Sequence, residues 1–97
     1  MNIQELPITF TGTGEVKGFK FMRMMSSDNW YLYQINNGIS THFEVIKRLK
    51  SPVCIDFKTH VFSETDFKEY YPKANSFGVN GYSFYNKDQA IDKFKSP

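Results

Sequence analysis

Asn37-Gly38 stands between two runs in which apolar and polar residues alternate, and this arrangement constrains the fold more than any other stretch of the chain. From Trp30 to Asn36, Tyr31, Tyr33 and Ile35 fall on one side of an extended chain and Trp30, Leu32 and Gln34 on the other. From about Ser40 to Leu49, Thr41, Phe43, Val45 and Lys47 alternate with His42, Glu44, Ile46 and Arg48. Asn and Gly tolerate positive φ at both centres of a type I′ turn, whose twist matches antiparallel strands. The pattern predicts a β-hairpin closed by such a turn.

The flanking segments extend this sheet. Glu15 to Met25 reads as a strand with Phe19, Phe21 and Met25 on one face and Lys20, Met22 and Met24 on the other, and Gly18 marks a bulge or close approach. Pro52 is expected to break the third strand, with a further strand over Val53–Lys58 whose Val53, Ile55 and Phe57 face one way, Phe57 being expected in the core. Ser63-Glu64-Thr65-Asp66 resembles a helix start, since Ser63 can cap and the acids suit the first turn, although a structured loop fits as well. Residues 72–81 are rich in turn formers, and Gly81–Tyr85 makes a last short strand. Asn86 reads as the cap of a helix over 87–95, in which Ala90, Ile91 and Phe94 share a face. Pro7 and Thr11-Gly12-Thr13-Gly14 punctuate a loosely held lead-in over residues 1–14, in which Ile8 and Phe10 suit a short edge strand. The expected fold is a single α+β domain over residues 1–97, an antiparallel sheet of four to five strands with a short C-terminal helix packed on one face.

A chain of this length buries only roughly 60–65% of the surface its unfolded form exposes, so its own core is small. Against that stand ten Phe, six Tyr and one Trp. Some of these rings are therefore expected at a surface or interface. Twelve Lys and Arg balance ten Asp and Glu, a mildly basic charge that permits nucleic acid as a partner without requiring it. The N-terminus has no charged n-region or long apolar h-region, and no apolar run reaches the roughly 18–20 residues of a membrane span. The expectation is a cytoplasmic protein, of its own cell or of a host, without a membrane partner.

Chemistry-bearing patterns are few. Cys54 is alone, which excludes an internal disulfide, and reads as a small core residue on a strand. His42-x-Glu44 places an imidazole and a carboxylate on one strand face, either as a base with its orienting carboxylate or as an ordinary polar face. His42, His60 and Cys54 match no zinc spacing, so no metal site is expected. Gly12, Gly14 and Gly18 form neither a dinucleotide fingerprint nor a phosphate loop, and Ser63 has no nucleophile-elbow context. No catalytic residue and no cofactor is assigned, and the chain is expected not to be an enzyme.

Across about residues 12–94 the chain resembles small proteins of bacteriophages and mobile elements from Bacteroidetes-type hosts, to which no catalytic role is assigned. The resemblance lies in GEVKGFKF at 14–21, LYQI at 32–35, HFEVIKR at 42–48, YPKANSFG at 71–78, and Ala90 with Phe94. It implies a phage-type accessory protein that binds and inhibits or modulates a host protein or ribonucleoprotein machine, CRISPR inhibitors being one such group. The contact residues expected from the aromatic surplus are Trp30, Tyr31, Tyr33, Tyr70, Tyr71 and Tyr82. A symmetric homodimer would use the same surplus. The alternative is single-stranded nucleic-acid binding, with bases stacked on sheet aromatics and phosphates held by Lys17, Lys20, Arg23, Lys47, Arg48 and Lys50.

Overall fold

A computed structural model describes residues 2–97. Among the described residues eight strands form two sheets, followed by one α-helix: β1 (Asn2–Gln4), β2 (Thr9–Thr11), β3 (Lys20–Ser26), β4 (Trp30–Asn36), β5 (Thr41–Lys47), β6 (Leu49–Asp56), β7 (Val61–Tyr70), β8 (Gly81–Phe84) and α1 (Lys87–Lys95). The larger sheet is antiparallel in the order β2-β3-β4-β5-β8. The smaller has the order β1-β7-β6, with β1 parallel and β6 antiparallel to β7. The α+β class and the five-stranded sheet with its C-terminal helix agree with the sequence. The second sheet was not anticipated.

The β4–β5 hairpin forms, with Tyr31 opposite Ile46, Tyr33 opposite Glu44 and Asn36 opposite Thr41, a pairing two residues removed from the one a two-residue turn at Asn37-Gly38 would set. Its loop differs from the type I′ turn. Four residues separate Asn36 from Thr41, and of Asn37 and Gly38 only the glycine has positive φ, at 91°. The Asn37 carboxamide supplies the closure instead, accepting the Ile39 and Ser40 N–H groups at 2.9 and 2.8 Å.

Strict alternation holds along β4 and fails on β3. Arg23 pairs with Tyr33 and Met25 with Leu32, so Met24 is the extra residue of a bulge. The bulge turns Met25 away from the Phe21 face and onto the opposite one with Leu32. Gly18, the expected bulge, lies in the preceding turn, where its N–H reaches Gly12 O at 3.2 Å. Gly12 is held close: an added Cβ would stand 2.4 Å from Val16 O.

Both faces of the larger sheet are covered, where one was expected. On one face Phe21, Tyr31, Tyr33, Ile35 and Ile46 pack against Leu6, Phe10, Val16, Phe19, Tyr71 and Phe77. Phe10 stacks on Phe21 at 4.5 Å between centroids, and Tyr33 meets both rings edge-on. On the other face Leu32 and Val45 receive Ala90 and Phe94 of α1. The helix starts as the sequence suggests, with Asn86 Oδ1 accepting the Gln89 N–H at 3.1 Å. Asn86→Ala is therefore expected to lower stability by about 1 kcal/mol, read as a lower denaturation midpoint at unchanged m-value.

The lead-in is tied down at both ends. β1 pairs with residues 66–68 and β2 with 20–22, while Pro7 O accepts the Tyr33 hydroxyl at 2.7 Å. The third strand ends at Lys47, and after Arg48 the chain enters β6, so Pro52 lies inside a strand. A ring without an N–H is tolerated there because β6 is a sheet edge.

The expected helix start at Ser63 is part of β7. Pro52 pairs with Phe67 and Cys54 with Phe62, so the four residues 63–66 lie opposite Val53 alone. Within this wide bulge Ser63 Oγ accepts the Thr65 and Asp66 N–H groups at 3.1 and 2.8 Å. The capping chemistry is present locally, and strand pairing on either side keeps it from propagating as a helix.

Candidate functional site: a projecting apolar arm and the cavity at its base

Beyond Lys50, β6 and β7 leave the body of the protein as a two-stranded arm. Every residue from 50 to 62 is exposed. The molecule measures 45 × 28 × 23 Å, with a radius of gyration of 14.4 Å against the ~13 Å of a compact chain of this size. At the tip, Asp56 Oδ1 accepts the Lys58 N–H at 2.9 Å and His60 adopts φ 55°.

The arm is apolar where a solvated hairpin would be charged. Ile55 is 68% exposed, Phe57 83% and Phe62 51%, with Val53 and Val61 also exposed. Between 53 and 62 the only acid and the only Lys or Arg are Asp56 and Lys58. β6 is an edge strand, and β1 covers β7 only at 66–68, so both edges of the outer arm are open to pairing. Phe57 and Cys54, expected in the core, are both exposed here. The arm departs from a body too small to cover it.

The arm is anchored through one buried carboxylate. Glu69, 5% exposed, accepts the Tyr31 hydroxyl at 2.5 Å, Arg48 Nε at 2.8 Å and the Leu6 N–H at 3.0 Å. These bonds join β7 to β4, to the β5–β6 junction and to the lead-in. Burial pushes the Glu69 carboxyl up, but the hydrogen bonds from Tyr31, Arg48 and Leu6 outweigh it and hold its pKa below the ordinary value. Burial, reinforced by the Glu69 hydrogen bond, pushes the Tyr31 phenol well above its ordinary value. The guanidinium groups of Arg23 and Arg48 stack on the Tyr31 ring at 4.3 and 4.6 Å. Arg48 also bonds Glu5 and Ser27 O, both at 2.8 Å, and Arg23 bonds Leu6 O.

Beside this anchor lies a cavity of about 590 Å3 between the lead-in, β5 and the 68–77 segment. Phe10, Val16, Pro72 and Phe77 supply apolar wall. Glu44 also lines it, 5% exposed, accepting the Tyr71 hydroxyl on Oε1 and meeting His42 Nε2 at 2.9 Å on Oε2. His42 and Glu44, placed on one strand face by their i, i+2 spacing, are thus in direct contact. Burial and the Glu44 charge push the Tyr71 phenol far above its ordinary value, so it stands as a neutral donor.

The aromatic contact candidates separate into several places. Tyr31 and Tyr33 have no exposed surface and are core, which removes them as direct contacts. They are buried because the lead-in and the 71–77 segment cover the face that carries them. Trp30 and Tyr82 are half-buried on the helix side, 6.2 Å apart, with Lys93 Nζ 4.2 Å from the Tyr82 ring centre. Tyr70 is 42% exposed at the arm base, and Tyr71 lines the cavity.

The six cationic candidates form no single track. Arg23 and Arg48 are engaged on Tyr31 and with acceptors, and Lys50 lies 5.5 Å over Phe67. Lys17, Lys20 and Lys47 are exposed, but Lys47 lies on a different strand from Lys20 and Arg23. Among the described residues no group of His, Cys, Asp and Glu could hold a metal ion. No described helix is long and apolar enough to cross a membrane. No protein-family description, curated protein or solved structure matches the chain.

Proposed function

We propose that this chain is a non-enzymatic accessory protein of the phage type that its sequence resembles, and that it binds and blocks or modulates a host protein machine through the β6–β7 arm. The observation that carries the reading is the exposure of Ile55, Phe57 and Phe62 on a hairpin with open edges. Such an arm suits a protein partner. A partner strand can pair with the open edge while its apolar side chains cover the arm's. The near absence of charge between residues 53 and 62 supports protein over nucleic acid, whose phosphates call for a cationic track. Blocking a bacterial defence complex, such as a CRISPR effector, is the form of this function that the resemblance suggests. Tyr70, 42% exposed at the root of the arm, is the aromatic candidate that remains accessible beside it.

Ile55→Ser combined with Phe57→Ser tests the arm. Both side chains are largely in solvent, so the double variant should keep its thermal midpoint, each change costing within about 0.5 kcal/mol. With wild type and variant as baits in host lysate, the specific partner should be lost from the variant, at an affinity cost of about 2 kcal/mol, or about 30-fold. Equal capture by both baits would overturn the arm as contact. Recovery of nucleic acid alone would overturn the function. A concentration-dependent dimer abolished by the same substitutions would reassign the arm to self-association.

A further inference from the structure

We infer that the cavity at the base of the arm is a binding site for a small organic ammonium ion with an apolar body, whose charge is received by Glu44. This goes beyond protein binding by the arm and does not depend on it. The volume, about 590 Å3, falls within the roughly 300–1,000 Å3 usual for small-molecule sites. The wall is aromatic and aliphatic, which suits an apolar ligand body.

The two buried carboxylates that line this cavity differ in how their charge is met. Glu69 has the Arg48 guanidinium at 2.8 Å, and its hydrogen bonds come from three directions. Glu44 has the neutral Tyr71 phenol and His42, which brings a positive charge only when protonated. A carboxylate excluded from water and without a full cation is costly, and a cation delivered beside it is favoured. Lone pairs remain for one: a carboxylate offers about four acceptor sites, of which Tyr71 and His42 occupy two. Lys68 and Lys73, which also line the cavity, and Glu15 are exposed, where water and salt screen them. The charge that a bound ligand would meet without intervening water is therefore that of Glu44.

Titration of the full chain with 2-phenylethylammonium, followed by amide NMR shifts and calorimetry, tests the site. Shifts should centre on Gly12, Thr13 and Ala74, which line the cavity. The uncharged isostere 2-phenylethanol should bind at least about tenfold more weakly, the worth of one charge-assisted hydrogen bond. Glu44→Gln should weaken the ammonium ligand by at least the same factor while leaving the alcohol unchanged. Should Glu44→Gln fail to fold, Ala74→Trp serves instead: residue 74 is exposed on the lining, and the indole should block binding with the fold intact. Equal binding of the alcohol, unchanged ammonium binding by Glu44→Gln or by Ala74→Trp, or no shifts up to about 10 mM ligand would each overturn the assignment.

Discussion

Glu69→Ala is expected to lower folding stability by about 3–5 kcal/mol, the range for breaking a buried ion pair by removing one partner. The substitution leaves the Arg48 Nε–H, the Tyr31 hydroxyl and the Leu6 N–H without their acceptor, and leaves Arg48 only the exposed Glu5 carboxylate and Ser27 O. It also removes the point at which the arm, the lead-in and the larger sheet meet. Glu69→Gln keeps an acceptor for Tyr31 and Leu6 but removes the buried charge beside Arg48, leaving it the exposed Glu5, so its cost should be smaller than that of alanine. Equilibrium denaturation in urea measures both. The same residue carries a pH signature. Its pKa is depressed in the folded state, so the stabilisation is complete above the unfolded carboxyl pKa of about 4.3 and fades as pH falls through the lower folded value. Wild type should thus lose stability on acidification more steeply than Glu69→Ala. Parallel curves for the two proteins would show that Glu69 does not anchor the arm through its charge.

Leu32→Ala should cost about 2–5 kcal/mol by opening a cavity between the larger sheet and α1. Leu32 has no exposed surface and sits with Val45, Ala90 and Phe94. Relaxation is limited because both backbone neighbours, Tyr31 and Tyr33, are themselves fully buried on the opposite face. The C-terminal helix should become the first site of proteolysis, since Ala90 and Phe94 lose the residue they pack on. A change below about 1 kcal/mol would mean that α1 adds little to the fold.

The two residues mark the division between what was readable in the chain and what was not. Leu32 belongs to a strand whose alternation is strict, so its place on the face opposite Tyr31 and Tyr33 follows from local pattern, as does the existence of the capped helix. Glu69 carries no such mark. It lies six residues beyond a Ser63 that imitates a helix cap, and its partners are 38, 21 and 63 positions away along the chain. The aromatic surplus showed the same limit. Tyr31 and Tyr33 were expected at a surface because a single sheet face could not be seen to bury them, and the lead-in and the 71–77 segment supply the missing cover. Phe57 and Cys54 erred in the opposite direction: their alternation is that of a buried strand, but the arm carries them into solvent.

Local pattern alone established the Asn37–Gly38 hairpin, the closing strand, the Asn86-capped helix and the α+β class, since turn chemistry, capping and side-chain alternation act within a few residues. The loop type itself escaped it, as the Asn37 carboxamide replaced backbone geometry in closing the turn. Tertiary contact decided the second sheet, the bulge at Met24, the Glu69 anchor, the cavity beside Glu44 and the exposure of the arm. Each depends on which distant segment arrives to bury a face or pair an edge, and no short-range periodicity records that arrival.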